Sequence, residues 1–166
     1  KDYLLTNKDS IDKIIQVIEA EEKKKQDELE RARLAELYDI ITFTKQRDKI
    51  LIDAMIDKKK IRFYYNAEAL RTEIPQNTVE QLLRAKAISI DDFSEGKDKI
   101  RFTDGTKVSS KSFKIKELTI DGLTFKNVRC KMVDDDKKPT IGNNLFDDYD
   151  GVEMKDDKLL LKKRKQ

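Results

Sequence analysis

Apolar and polar residues alternate with a period of two from residue 50 onward, which predicts strands. Ile50, Ile52, Ala54 and Ile56 fall on one side, and Ile61, Phe63 and Tyr65 continue the alternation after a polar turn at 57–59. Alternation of this kind across a short polar turn is typical of a β-hairpin with one buried face. The sequence therefore predicts a hairpin that ends at Tyr65.

The first 41 residues follow a different period. Isoleucines recur at three- and four-residue spacing from Ile11 to Ile18, after Ser10 as a plausible N-cap, so a helix is predicted over 10–41. Its middle, residues 19–33, carries almost no apolar stripe, which is typical of an exposed helix. Two interpretations stay open: an arm that binds a partner or forms a coiled coil, and a surface helix. The second is favoured because the heptad pattern is not sustained.

The pattern in the rest of the chain predicts strands and one short helix. Asn77 as N-cap and Glu80 three residues later predict a helix over 77–87. Asp-Gly pairs at 104–105 and 121–122 predict two tight hairpins, and a final hairpin crosses residues 155–158. Cys130 shares a face with Val128 and Met132 and is interpreted as a buried apolar residue. The fold class is mostly β, a small barrel with one short helix, preceded by an N-terminal helical arm.

Composition excludes several kinds of site. The chain of 166 residues has 36 basic and 33 acidic residues, too balanced for a nucleic-acid partner, and it has no histidine and one cysteine. Paired aspartates are interpreted as turn residues, so no metal and no cofactor is expected. No apolar run of about 18 residues is present, so no membrane span is expected. Because the sequence begins at Lys1, we expect a trimmed chain, compatible with a bacterial cell-envelope or secreted protein.

The order of these segments resembles the retropepsin-like aspartic proteases, especially bacterial single-domain members. The resemblance covers roughly residues 49–163, and the division that it suggests is an arm at 1–45 and a barrel domain at 46–166. The matching segments are IRFYYNAEALRTEIP (61–75), the helix at 77–87, FTDGTKV (102–108), LTIDGLTFKNVRCKMV (118–133), TIGNNLF (140–146) and DGVEMKDDKLLLKK (150–163).

The resemblance also assigns candidate site residues. The family's catalytic Asp-Thr/Ser-Gly falls on Asn66, Ala67 and Glu68, so the catalytic motif is interpreted as degenerate. Amide and methyl side chains cannot perform the proton transfers of an aspartic dyad. The peptide-binding residues that the resemblance implies are Tyr65, Ala69, Asp104, Gly105, Ile141 and Gly142.

The function expected from these residues is an inactive retropepsin-like domain that binds or scaffolds an extended peptide or protein, as a homodimer. The alternative is an aspartic endopeptidase, active in its unmodified form or through another carboxylate. A third interpretation makes the barrel a folding anchor for a helical oligomerisation arm.

Overall fold

A computed structural model describes residues 2–164, with side chains described from residue 8 onward. The chain divides into two compact units, the first ending at Tyr38 and the second beginning at Asp39. Helix α1 (Asp2–Leu37) forms the first unit and is continuous through the polar stretch. The prediction that the helix extends to residue 41 is wrong, because Tyr38–Thr42 is a strand. The predicted domain boundary after residue 45 stays a prediction.

Among the residues described, Tyr38 and the second unit together form twelve strands, one α-helix and two single turns of 3₁₀ helix. Helix α2 is Gln76–Arg84, and the 3₁₀ turns are Ile90–Asp92 and Asn143–Phe146. The strands are β1 (Tyr38–Thr42), β2 (Thr44–Gln46), β3 (Lys49–Ile56), β4 (Lys59–Tyr65), β5 (Thr72–Pro75), β6 (Ile100–Arg101), β7 (Lys107–Val108), β8 (Ser112–Ile120), β9 (Leu123–Val133), β10 (Thr140–Ile141), β11 (Gly151–Lys155) and β12 (Lys158–Lys162).

Six strands close into a barrel in the order β3-β4-β10-β5-β9-β8, and β2 adds to β3 outside the ring. Closure comes from a short antiparallel contact in which Met55 faces Thr119 and Ile56 faces Leu118. The predicted hairpins β3–β4, β8–β9 and β11–β12 are all present. The chain is thus mostly β, as predicted.

Two parallel pairings lie among these antiparallel ones. β10 runs parallel to β4, and β5 runs parallel to β9, while Thr140 of β10 also faces Glu73 of β5 in an antiparallel contact. This crossing brings the end of β4, the start of β5 and the end of β10 to one place. The loop between β4 and β5 is therefore positioned by three strands.

The barrel core contains the apolar residues that alternation predicts, with one shift in phase. On β8 the buried residues are odd-numbered at Phe113 and Ile115 but even-numbered at Leu118 and Ile120. The buried residues of the paired strand β9 change between odd and even numbers at the same point of the hairpin. Asn127, with a φ of 54°, stands at the shift in β9. Asparagine tolerates this left-handed conformation better than most residues, so it can accommodate a bend in the long hairpin. Cys130 is buried, as predicted, and burial raises its pKa.

A second sheet contains β1, β12 and β11 in that order. Leu159, Leu160 and Leu161 of its central strand are all buried, so β12 is covered on both faces. Tyr149 donates a hydrogen bond to Asp39 of β1, and this bond joins β1 to the segment just before β11. Burial raises the pKa of Tyr149, and so do its hydrogen bond to Asp39 and the negative charge of that carboxylate.

Helix α2 begins one residue earlier than the predicted N-cap. Pro75 precedes its first turn, and the N–H of Asn77 donates to Asp135 at 2.8 Å, so an aspartate from the β9–β10 turn caps the helix. Val79 and Leu82 are buried in the core. In the described part of the chain, no helix has the length and apolar character needed to cross a membrane.

Candidate functional site

The loop that follows β4, residues 66–71, folds on itself through Asn66. The side-chain oxygen of Asn66 accepts the N–H of Glu68 at 3.0 Å, and its carbonyl accepts the N–H of Ala69 at 3.1 Å. The first bond forms an Asx-turn, in which an asparagine side chain accepts the N–H of the residue two positions later. The second bond closes a β-turn. The sequence Asn-Ala-Glu-Ala therefore makes a compact turn at the strand end.

The segment after β10 holds this loop in place. The N–H of Asn66 donates to the carbonyl of Ile141 at 3.1 Å, and the N–H of Asn143 donates to the carbonyl of Ala69 at 2.8 Å. The side-chain amide of Asn143 also donates to the carbonyl of Ala67 at 2.7 Å. Three backbone groups of the loop are thereby paired, which leaves little freedom at its base.

A second layer of contacts supports the first. The Thr72 hydroxyl donates to Asn144 at 3.0 Å, and the amide of Asn144 donates to the carbonyl of Arg129 at 2.8 Å. Gly142 packs so closely on the loop that a Cβ there would lie 2.4 Å from the carbonyl oxygen of Arg71. The loop rests directly on the backbone of residue 142, because glycine has no side chain to separate them.

The outer side of the loop is open to solvent. Asn66, Ala67 and Glu68 are exposed, and the Leu70 side chain is 84% exposed. Leu70 is the large apolar side chain of this loop, and a single exposed residue of this kind is ordinary on a protein surface.

The two tyrosines at the end of β4 face different surroundings. Tyr65 packs against Phe146 with ring centroids 5.8 Å apart, and burial raises its pKa. The Tyr64 hydroxyl accepts a hydrogen bond from Lys138 at 2.9 Å, and this bond lowers the pKa of Tyr64. Of the two tyrosines, Tyr65 is therefore the one that packs against the apolar residues beside the loop.

A cleft of about 350 Å³ opens beside the loop, lined by Tyr65, Ala67, Asn143, Tyr149 and Val152 among others. The predicted site residues Tyr65, Ala69, Ile141 and Gly142 thus come together with Asn66, Ala67 and Glu68. Their side chains include the amide of Asn66, the carboxylate of Glu68, the hydroxyl of Tyr65 and apolar groups.

Asp104 and Gly105 lie elsewhere, in the turn of the β6–β7 hairpin. Gly105 has a φ of 90°, and Asp104 accepts the N–H of Thr106 at 2.9 Å, which lowers the pKa of Asp104. Their predicted role in peptide binding stays a prediction.

The same hairpin is fastened to helix α2. Glu80 accepts hydrogen bonds from the hydroxyl and the N–H of Thr103, and from Arg84. These bonds, the Thr103 hydroxyl first, lower the pKa of Glu80. Phe102 is 3% exposed and anchors the hairpin in the core. A cleft of about 880 Å³ is lined by the β6–β7 hairpin and by residues of the segment from Ile90 to Lys99.

The sequence did not reveal the supporting residues Thr72, Asn143 and Asn144. Asparagines after a glycine predict only a turn, since nothing local shows that the loop they bind lies some seventy residues away. The contact between Glu80 and Thr103 could not be predicted either, because the two residues are also distant in the sequence.

Comparison with known proteins supports the fold. No protein-family model and no curated protein matches the sequence. Thirteen chains of solved structures match, among them a retropepsin-like aspartic protease from Rickettsia conorii. That similarity has a TM-score of 0.51 at 19% sequence identity and covers 76% of this chain and 90% of the other. The barrel described above therefore has the retropepsin-like aspartic protease fold.

Proposed function

We propose that the barrel is a non-catalytic retropepsin-like domain that binds an extended polypeptide as a homodimer. The observation that carries the proposal is the identity of the residue at the end of β4. Asn66 stands on a loop braced from three strands, where we infer that an aspartic protease would hold its catalytic carboxylate. Its amide already accepts the Glu68 N–H, and an amide has no useful basicity near neutral pH.

Aspartic proteolysis needs two carboxylates roughly 3 Å apart that share one proton. If two copies meet at this loop, they bring two amides together, which can hydrogen-bond to each other or to a peptide but cannot activate water. Ala67 supplies no hydroxyl, and Glu68 is exposed at the side of the turn. These three residues together favour binding over hydrolysis.

Polypeptide is the ligand class that suits the remaining surface. An extended chain offers backbone groups to a braced loop and side chains to neighbouring clefts. The exposed Leu70 and the cleft beside Tyr65 and Asn143 supply such contacts.

A proteolysis assay tests the loss of catalysis. The protein is incubated with unfolded casein over about pH 3 to 7, with and without pepstatin, because paired aspartates titrate in the acidic range. We expect no cleavage. Cleavage that pepstatin inhibits would replace this proposal with the alternative, an aspartic endopeptidase.

Restoring the motif is the complementary test. The triple variant Asn66→Asp, Ala67→Thr and Glu68→Gly is compared with a double variant that keeps Asn66. We expect pepstatin-sensitive cleavage from the triple variant alone, since only that protein regains a carboxylate on the braced loop. A folded triple variant without activity would contradict the inferred position of Asn66.

Binding is tested through Leu70. Labelled unfolded casein is titrated with the protein, with Leu70→Ser, and with the control Met154→Ser, which changes an exposed apolar residue on β11. We expect Leu70→Ser to weaken binding and Met154→Ser to leave it unchanged. Equal affinity of all three proteins would contradict binding at the loop.

A further inference from the structure

Helix α1 presents an apolar stripe to solvent. Ile11, Ile15 and Ile18 are between 46% and 55% exposed, and Leu29 is 71% exposed. Most of the stability of a helix in a protein comes from covering such a face. The stripe is therefore a surface that a partner helix would bury.

The stripe continues through two charged residues. With alternating steps of four and three residues, it runs along α1 through Ile11, Ile15, Ile18, Glu22, Lys25, Leu29 and Ala32, here called the seam. At 3.6 residues per turn all seven lie within an arc of about 100°. Glu22 and Lys25 interrupt the apolar seam at its centre, and they carry opposite charges.

The seam of one helix is complementary to the seam of a second copy that runs in the opposite direction. If a second copy of α1 lies antiparallel about an axis between residues 23 and 24, Glu22 faces the partner's Lys25. In the same register Ile18 faces the partner's Leu29, and Ile15 faces the partner's Ala32. Both central charges are then paired, and Ile15 and Ile18 meet apolar partners, whereas Ile11 at the end of the overlap faces the partner's Glu36.

Other arrangements of two copies are worse. A parallel pair places Glu22 against the partner's Glu22 and Lys25 against the partner's Lys25, which repel. Moving the antiparallel pair by one heptad places Glu22 against Ile18. Beside the seam, Asp12 approaches the partner's Arg33 and Glu21 approaches the partner's Glu28, so these flanking contacts offset each other and the seam decides the register.

We propose that α1 pairs antiparallel with α1 of a second copy of this chain, with Glu22 and Lys25 exchanging ion pairs at the centre. The overlap from Ile11 to Glu36 is about 39 Å long at 1.5 Å per residue. This pairing does not depend on the proposed function of the barrel.

Charge reversal in the full chain tests the central pairs. Glu22→Lys and Lys25→Glu each place like charges together, so each should weaken α1-mediated self-association by roughly tenfold or more. The double variant Glu22→Lys with Lys25→Glu should restore it. The control Asp27→Lys makes the same charge change on the opposite helix face and should leave association unchanged. Sedimentation equilibrium measures all four variants, and equal behaviour of Glu22→Lys and Asp27→Lys would overturn the proposal.

Disulfide trapping tests direction, and it reports on α1 even if the barrels also associate. Ile18→Cys protein is mixed with Leu29→Cys protein under mild oxidation, while the buried Cys130 stays unreactive. Antiparallel pairing predicts the mixed disulfide. It predicts little 18–18 product, because those positions lie about 16 Å apart along the helices. A dominant 18–18 product would establish parallel pairing, and no trapped product would assign the stripe to another partner or to none; either result overturns the proposal.

Discussion

At the scale of single residues, Gly142 determines how closely the candidate loop can rest on its support. A Cβ there would lie 2.4 Å from the carbonyl oxygen of Arg71, and backbone cannot move aside as a side chain can. We predict that Gly142→Ala lowers the free energy of unfolding by about 1–3 kcal/mol, the usual cost of overpacking. Urea denaturation measures the change.

The matched control is Gly151→Ala. No atom lies within 4 Å of a Cβ built at Gly151, so alanine there should be neutral or slightly stabilising. If both variants lost the same stability, the close approach at Gly142 would not be the cause.

Sequence alone identified the residues at the end of β4 but not those that brace them. Asn66 was identified through the resemblance to the retropepsin-like proteases, whose catalytic position falls directly after the alternating strand that ends at Tyr65. Asn143 and Thr72 were missed because their partners are distant in sequence, and a polar side chain in a turn is usually only solvated.

At the scale of elements, the β6–β7 hairpin is held to α2 by the Glu80 carboxylate. Hydrogen bonds from Thr103 and Arg84 lower the pKa of Glu80, so the folded state favours its ionised form. This contribution to stability is fully present above the unfolded pKa of about 4.3 and is lost as pH falls through the lower folded value.

We therefore predict that Glu80→Gln destabilises the protein at neutral pH and that the difference from the parent shrinks as pH falls below about 4.3 and through the lowered pKa of Glu80. Urea unfolding at a series of pH values measures it. Glu117→Gln, at an exposed glutamate on β8, is the control and should show little difference at any pH. A Glu80→Gln penalty that stayed constant down to acidic pH would show that the carboxylate charge does not hold the hairpin.

Hairpins were predicted more accurately than the end of the first helix. Asp-Gly pairs specify the tight turns locally, and Asp121 and Gly122 do have positive φ values of 49° and 80°. Residues 38–41 were assigned to the helix because their apolar residues also fit that period. Strand pairing with β12, which local sequence does not reveal, decides the outcome instead.

At the scale of the whole molecule, the small barrel was inferred from the short strands and through resemblance, whereas the barrel's closure rests on contacts that no local pattern encodes. The β3–β8 pairing joins residues more than sixty positions apart. Alternation identified which residues are buried, but it could not determine which strands are neighbours, since period two is the same for every pairing.

The two units lead to a prediction about truncation. Along the described part of α1 the side chains are exposed except Leu34, so removing residues 1–37 takes away almost none of the buried core. A chain of residues 38–166 should therefore unfold cooperatively in urea. A chain of residues 46–166, cut at the boundary expected from sequence, loses the buried Ile41 and Phe43, the strand β1 and all of β2 except Gln46.

Loss of two large buried side chains costs roughly 2–5 kcal/mol each, against a typical total stability of about 5–15 kcal/mol. We expect the 46–166 chain to be unfolded or strongly destabilised, with its near-UV circular dichroism largely lost, while the 38–166 chain keeps that signal. A 46–166 chain as stable as the longer one would place the start of the folding unit after residue 45. It would then follow that β1 and β2 contribute little to the barrel, despite the burial of Ile41 and Phe43.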